Sequence, residues 1–265
     1  MHAAARLRPS GLLHVYSANE VRLAKGATAV DETARLEVEI RSAGYEEKEP
    51  IVRDVRFTVG AGRMIGLIGP NGAGKSTTIK TILGLLKHVD GSIRFGGATG
   101  RYAYVPEHPV MYEYFTLWEH LRLAASAFGM DEQAFAGKAE ALLERFRLAD
   151  VRHELPTKFS KGMQQKLMLI IGFMLEPDIY IVDEPFIGLD PRATKDLLDL
   201  LESERERGAG ILMSTHVLDT AERICDGFVL VNQGSVVAQG TLDDVRNVSG
   251  CGPDAPLFDC FHALT

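Results

Sequence analysis

Residues Met64-Ile65-Gly66-Leu67-Ile68-Gly69-Pro70-Asn71-Gly72-Ala73-Gly74-Lys75-Ser76 decide the fold. The first five form a short apolar run, the style of a buried central strand. The next eight, Gly69 to Ser76, fit G-x-x-x-x-G-K-[ST]. Beyond them Ile79, Ile82, Leu83 and Leu86 recur at helical spacing. Strand, glycine-rich loop and helix together make an anion trap. Small residues let the backbone from Gly69 through Pro70, Asn71, Gly72, Ala73 and Gly74 wrap tightly, so that successive N–H groups point at phosphates. The helix N-terminus, with Ser76 and Thr77 in its first turn, adds its dipole. Lys75 reaches the β- and γ-phosphates and the Ser76 hydroxyl ligates Mg²⁺. A nucleoside triphosphate with Mg²⁺ is the expected ligand.

A second apolar strand, Ile179-Tyr180-Ile181-Val182, ends in two carboxylates, Asp183 and Glu184. Ligands of open α/β sheets bind at the carboxyl ends of strands, so both should face the phosphate loop. Asp183 would hold Mg²⁺, mostly through water, and Glu184 would polarise the attacking water as general base. Upstream, Leu36-Glu37-Val38-Glu39-Ile40 alternates apolar and polar and predicts a half-buried strand. Val52, Val55, Phe57 and Val59 continue that β character.

From Pro109 to about 176 the pattern is helical. Thr116 and Glu119 have capping-box spacing. Phe135, Leu142, Leu143 and Phe146 form one stripe, and Leu167, Ile170, Ile171 and Met174 form another. Strands return after Pro177, with Ile211-Leu212-Met213 and Phe228 to Val231; Asn232-Gln233-Gly234 should turn the last back into a hairpin. Asp190-Pro191 opens a helix as N-cap and first residue, and Gly208 closes it. Ser160 and Gly162, directly before the second helical stripe, build a further anion site from a hydroxyl, backbone N–H groups and the helix dipole.

The 265 residues are 46% hydrophobic and 25% charged, an ordinary globular composition, with a net charge of −7. A negative chain gains little from counterion release, so nucleic acid is not an expected partner. Cys225, Cys251 and Cys260 form no C-x-x-C pair, which argues against structural zinc and a disulfide framework and fits a reducing compartment. The longest apolar run, Leu167 to Leu175, is nine residues, whereas a bilayer span needs about 20. No signal peptide is read at the N-terminus. Residues 1–34 show no sustained period and are expected to form a poorly ordered extension.

Phosphate loop, Ser160-Lys161-Gly162, acidic pair, Gly188-Leu189-Asp190 and Ser214-Thr215-His216 occur in that order, with Ser160 23 residues before Asp183. This combination resembles the ATP-binding subunits of ABC transporters over about 36–245. The wording Phe-Ser-Lys-Gly-Met, Asp-Glu-Pro-Phe-Ile-Gly-Leu-Asp-Pro and Leu-Met-Ser-Thr-His looks closest to the Ecs-type subunits of Gram-positive bacteria. The resemblance implies an α/β fold: a P-loop NTPase (RecA-like) core with an N-terminal antiparallel β subdomain and an inserted α-helical subdomain. The ATPase domain would run over 35–245, with the helical part at 109–176 and a C-terminal tail at 246–265.

The resemblance also implies residue roles. Tyr45 would stack on adenine, His216 would contact the γ-phosphate, and Asp190 would belong to the nucleotide-binding set. Glu107 stands where the family has glutamine and would offer an oxygen to Mg²⁺ or water. The signature departs from the family at Phe159, Lys161 and Met163, so only Ser160 and Gly162 carry over. ATP would be sandwiched in a head-to-tail homodimer, between Lys75 of one copy and Ser160 of a second ATP-binding subunit. A transmembrane permease subunit would be the other partner, placing the chain peripherally on the cytoplasmic face of the membrane. Part of Pro109 to Phe115, including Tyr112 and Phe115, would form the groove for a permease helix. Hydrolysis coupled to transport, of export type, is the implied function; the alternative left open is a soluble ATPase of the same class acting on nucleic acid or ribosomes.

Overall fold

The computed structural model describes residues 33–265. The expected extension therefore lies outside the described residues, apart from Thr33 and Ala34. Ala34 is buried and opens the first strand, so it belongs to the folded part. The chain runs through β1 (Ala34–Gly44), β2 (Val52–Gly60), β3 (Met64–Ile68), α1 (Lys75–Ile82), β4 (His88–Phe95) and β5 (Tyr102–Val105). It continues with α2 (Leu117–Phe128), α3 (Glu132–Phe146) and α4 (Lys161–Met174). Then follow β6 (Ile179–Asp183), α5 (Pro191–Glu206), β7 (Gly210–Thr215), α6 (Leu218–Ile224), β8 (Gly227–Asn232), β9 (Ser235–Gly240), α7 (Leu242–Ser249) and α8 (Leu257–Leu264).

Two sheets result. The alternation in β1 buries Leu36, Val38 and Ile40 on one face. Val38 sits opposite Phe57 of β2 on one side and Ile93 of β4 on the other, giving an antiparallel sheet in the order β2-β1-β4. β4 is not evident in the sequence, because Asp90-Gly91 reads as a turn; the structure uses the pair where the β1–β4 register shifts. The second sheet has the order β5-β6-β7-β3-β8-β9, parallel except for the terminal β8–β9 hairpin. The strands β3, β7 and β6 are neighbours, so the loops that leave their carboxyl ends share one rim.

The helical insertion packs on β5 through α4 and on α5 through both α3 and α4. The Thr116–Glu119 capping box forms as the spacing predicts, with Thr116 N–H on Glu119 Oε2 at 2.7 Å and Glu119 N–H on Thr116 Oγ1 at 3.3 Å. α4 differs from the expected one-sided stripe: every residue from Leu167 to Met174 is buried. A helix apolar all round is a buried helix, and this one lies between α2 and α3 on one side and β5 and α5 on the other.

The expected tail at 246–265 is corrected. The boundary at 245 falls inside α7, and α8 follows and packs with it in one apolar cluster. Val245, Leu257 and Cys260 bury against Ile68, Ala221, Phe228 and Leu230. Glu222 of α6 accepts the Leu257 N–H at 2.7 Å, capping α8 from a neighbouring helix. Short helices of this kind are held by packing rather than by propensity. Leu257→Ala should cost about 2–5 kcal/mol, read as a lower urea midpoint at unchanged slope; a midpoint equal to wild type would show that the hairpin adds nothing to the core.

Candidate functional site

The phosphate loop leaves the carboxyl end of β3 and enters α1 at Gly74. Gly74 has φ +108, a conformation open to glycine and strained for other residues. α2, α3, α4, α5 and α7 begin on side-chain caps from Thr116, Asp131, Ser160, Asp190 and Thr241; α1 has none. Its first-turn N–H groups lack a side-chain acceptor, which leaves them to an anionic ligand. They border a cavity of about 460 Å³ lined also by Glu107, Glu184 and His216. The loop residues Pro70, Asn71, Gly72, Lys75, Ser76 and Thr77 line the same cavity.

Lys75 is buried, and its ammonium donates to Gly69 O at 2.7 Å. It also faces Glu184 Oε1 at 3.8 Å. The other Glu184 oxygen, Oε2, is 2.9 Å from His216 Nδ1 and accepts the His216 N–H at 3.3 Å. Glu184 thus stands between a cation and an imidazole, each on its own oxygen. Its backbone is left-handed, φ +48, in a non-glycine residue. Ser214 holds it there: the Glu184 N–H reaches Ser214 O at 3.1 Å and Ser214 Oγ at 3.2 Å.

Ser214 also donates its hydroxyl to Asp183 Oδ1. Burial, with the neighbouring charges of Glu107 and Glu184, pushes the Asp183 carboxyl up, against the Ser214 hydrogen bond and Lys75. Ser76, Glu107 and Asp183 line a second cavity of about 430 Å³, so Ser76 and Glu107 form the wall between the two. A hydroxyl and two carboxylates crowded at an uncapped helix start are an oxygen donor set suited to a hard dication, and the cation would offset the charge that burial disfavours on Asp183. The residues therefore fit Mg²⁺ and a polyphosphate.

Not every expected residue joins this group. Gly69 is engaged through its carbonyl, and Ala73 packs in the core beneath the loop. Tyr45 does not line the cavity; Lys80 donates to its hydroxyl at 2.9 Å, and the ring is half-exposed. Ser160 caps α4 through the Met163 N–H at 3.3 Å and Gly162 packs on the Gly188 carbonyl, both away from the cavity lining. Asp190 caps α5 and pairs with Lys166. Sequence reasoning assigned no role to Ser214, although it precedes Thr215-His216 at the end of an apolar strand. It also missed Ile51 and Ile187, exposed apolar residues on the cavity lining with no local signal.

Comparison with known proteins gives the family. The family model "ABC transporter" matches residues 52–187. The chain is 53% identical over 230 residues to the Bacillus subtilis protein named uncharacterized ABC transporter ATP-binding protein YthP, covering 87% of this chain and 96% of that one. It is 43% identical over 239 residues to the ABC-type transporter ATP-binding protein EcsA of the same organism, covering 87% and 96%. A Nod factor export ATP-binding protein I of Burkholderia lata is 36% identical over 231 residues, covering 81% and 76%. A solved structure of the ATP-binding subunit of an ABC transporter superposes with TM-score 0.81 at 46% identity, covering 86% of this chain and 98% of the other. The fold and the site define a P-loop ATP-binding domain. The chain belongs to the ABC transporter ATP-binding proteins.

A raised carboxyl has a stability consequence. Because Asp183 is harder to ionise folded than unfolded, its charge destabilises the protein in full above the folded pKa, and the penalty shrinks as pH falls from the folded to the unfolded pKa, below which it is gone. Asp183→Asn keeps an acceptor for Ser214 and should raise the urea midpoint of nucleotide-free protein near neutral pH. The gap from wild type should close on acidification; a gap independent of pH would contradict the origin assigned to it.

Proposed function

We propose that this chain is the ATP-hydrolysing subunit of an export-type transporter, working as a homodimer on a separate transmembrane permease at the cytoplasmic face of the membrane. Among the described residues no helix is long and apolar enough to cross a membrane. The observation that carries the reading is the split site. Lys75, Glu184 and His216 gather on one cavity, while Ser160 and Gly162 lie outside it on α4. A second copy, head to tail, supplies Ser160 to the first copy's nucleotide. The 36% identity to a protein named for Nod factor export supports the direction.

Ser76, Asp183 and Glu107 would hold Mg²⁺, which would supply positive charge to offset that of the phosphates. Lys75 and the α1 N–H groups orient the phosphates and take up charge that grows at the leaving oxygen. Glu184 accepts a proton from the attacking water at Oε1 or Oε2. His216 fixes that carboxylate and contacts the γ-phosphate; Tyr45, once freed from Lys80, stacks on the base. Product release lets the two copies separate, a population shift driven by differential binding.

The permease-facing loop is reassigned in part. Tyr112 is half-buried against the helical core, lies tilted by 42° against Phe115 at 5.1 Å between centroids, and donates its N–H to His120 Nε2 at 2.9 Å. That bond makes Nε2 the acceptor and leaves Nδ1–H to donate to Thr116 O at 2.8 Å. Burial lowers the His120 pKa, which keeps this neutral arrangement. Tyr114 is 86% exposed, and Val110 and Phe115 are the other large apolar side chains of this loop that reach solvent.

Glu184→Gln should retain ATP binding, lose at least about 100-fold in turnover and accumulate an ATP-loaded dimer on size exclusion; steady-state hydrolysis at the wild-type rate refutes the base. Lys75→Ala should instead weaken nucleotide binding itself. Tyr114→Glu with Phe115→Glu should abolish co-purification with a co-expressed transmembrane permease while sparing ATP binding. Undiminished capture removes the docking assignment.

A further inference from the structure

The first turns of α4 face the segment that follows Glu184. Gly162 and Lys166 are four apart and share one helix face. A Cβ on Gly162 would lie 2.6 Å from the Gly188 carbonyl oxygen, so the two backbones touch as only glycine permits. One turn on, Lys166 Nζ reaches Asp190 Oδ2 at 2.7 Å, and the lysine side chain is only 14% exposed. That ion pair, with the Ala193 N–H, holds the Asp190 carboxyl below its usual range.

The intervening segment is a run of turns rather than a loose loop. Ile187 N–H bonds Glu184 O and Leu189 N–H bonds Phe186 O, both at 3.3 Å. Asp190 then anchors α5 through Ala193 N–H at 2.8 Å and Thr194 N–H at 2.9 Å. One steric contact and one ion pair therefore tie the start of α4, which carries Ser160, to the segment that begins at Glu184.

We propose that Lys166 and Asp190 form a clamp through which the position of Ser160 sets the position of Glu184, making Lys166 a positioning residue for hydrolysis. The inference rests on the reading of Glu184 as base and of Ser160 as the group that meets the neighbour's nucleotide. A partly exposed pair of this kind contributes little to stability. Its effect belongs in turnover, because sub-ångström errors in aligning a base are costly there.

Four variants test it: Lys166→Met, Lys166→Arg, Asp190→Asn and the double Lys166→Met with Asp190→Asn. Asparagine keeps the Oδ1 acceptor that caps α5 and loses only the charge. Lys166→Met should lower kcat about tenfold, with KM, the Kd for a fluorescent ATP analogue and Tm all within about twofold or a few degrees of wild type. Lys166→Arg should restore kcat, Asp190→Asn should reproduce the loss, and the double variant should lose no more than either single. A wild-type kcat in Lys166→Met, failure of arginine to rescue, or multiplied losses in the double variant each overturn the clamp. Glu184→Gln run in parallel separates the two ideas. If it abolishes turnover while Lys166→Met does not alter it, only the clamp falls. If Glu184→Gln hydrolyses normally, the reading of the base falls whatever Lys166 does.

Discussion

A buried ammonium facing a buried carboxylate, Lys75 and Glu184 at 3.8 Å, is the constraint around which the site is arranged. Neither charge is tolerable alone at that depth. Each is only partly satisfied by the other, because Lys75 also donates to the Gly69 carbonyl and Glu184 also meets His216. The arrangement holds two opposite charges within reach of the same incoming phosphate without letting them collapse into a tight pair. A polyphosphate can then draw on Lys75 while Glu184 keeps its hydrogen-bonded place.

That balance depends on the sheet. The loops of β3, β7 and β6 leave adjacent strands at one rim, so Lys75, His216 and Glu184 meet although more than a hundred residues separate the first from the others. Ser214, at the end of the middle strand, binds both Asp183 and the strained Glu184 backbone. The strain is local and the support is non-local, a usual relation at functional sites. The all-round burial of α4 extends the same rigidity outward, since a helix packed on every side moves only with its neighbours.

The C-terminal hairpin belongs to the same body. It covers the Phe228–Leu230 side of the sheet, and Glu222 ties it to α6, which begins two residues after His216. The antiparallel sheet, by contrast, touches the cavity through Ile51, in the connection that leads into β2.

Local chemistry made much of this readable from the residues. The phosphate loop, the Asp183–Glu184 pair and the caps at Thr116 and Asp190 depend on backbone groups within a few positions, so spacing alone announces them. Packing decided the rest. β4 looks like a turn until β1 lies beside it, and α7 and α8 are too short to declare themselves until Leu257 and Cys260 find Phe228. Tyr45 is turned onto Lys80, and Lys166 meets Asp190 across 24 residues. Such contacts join segments far apart in the chain, and they exist only once the sheet has fixed where each segment ends.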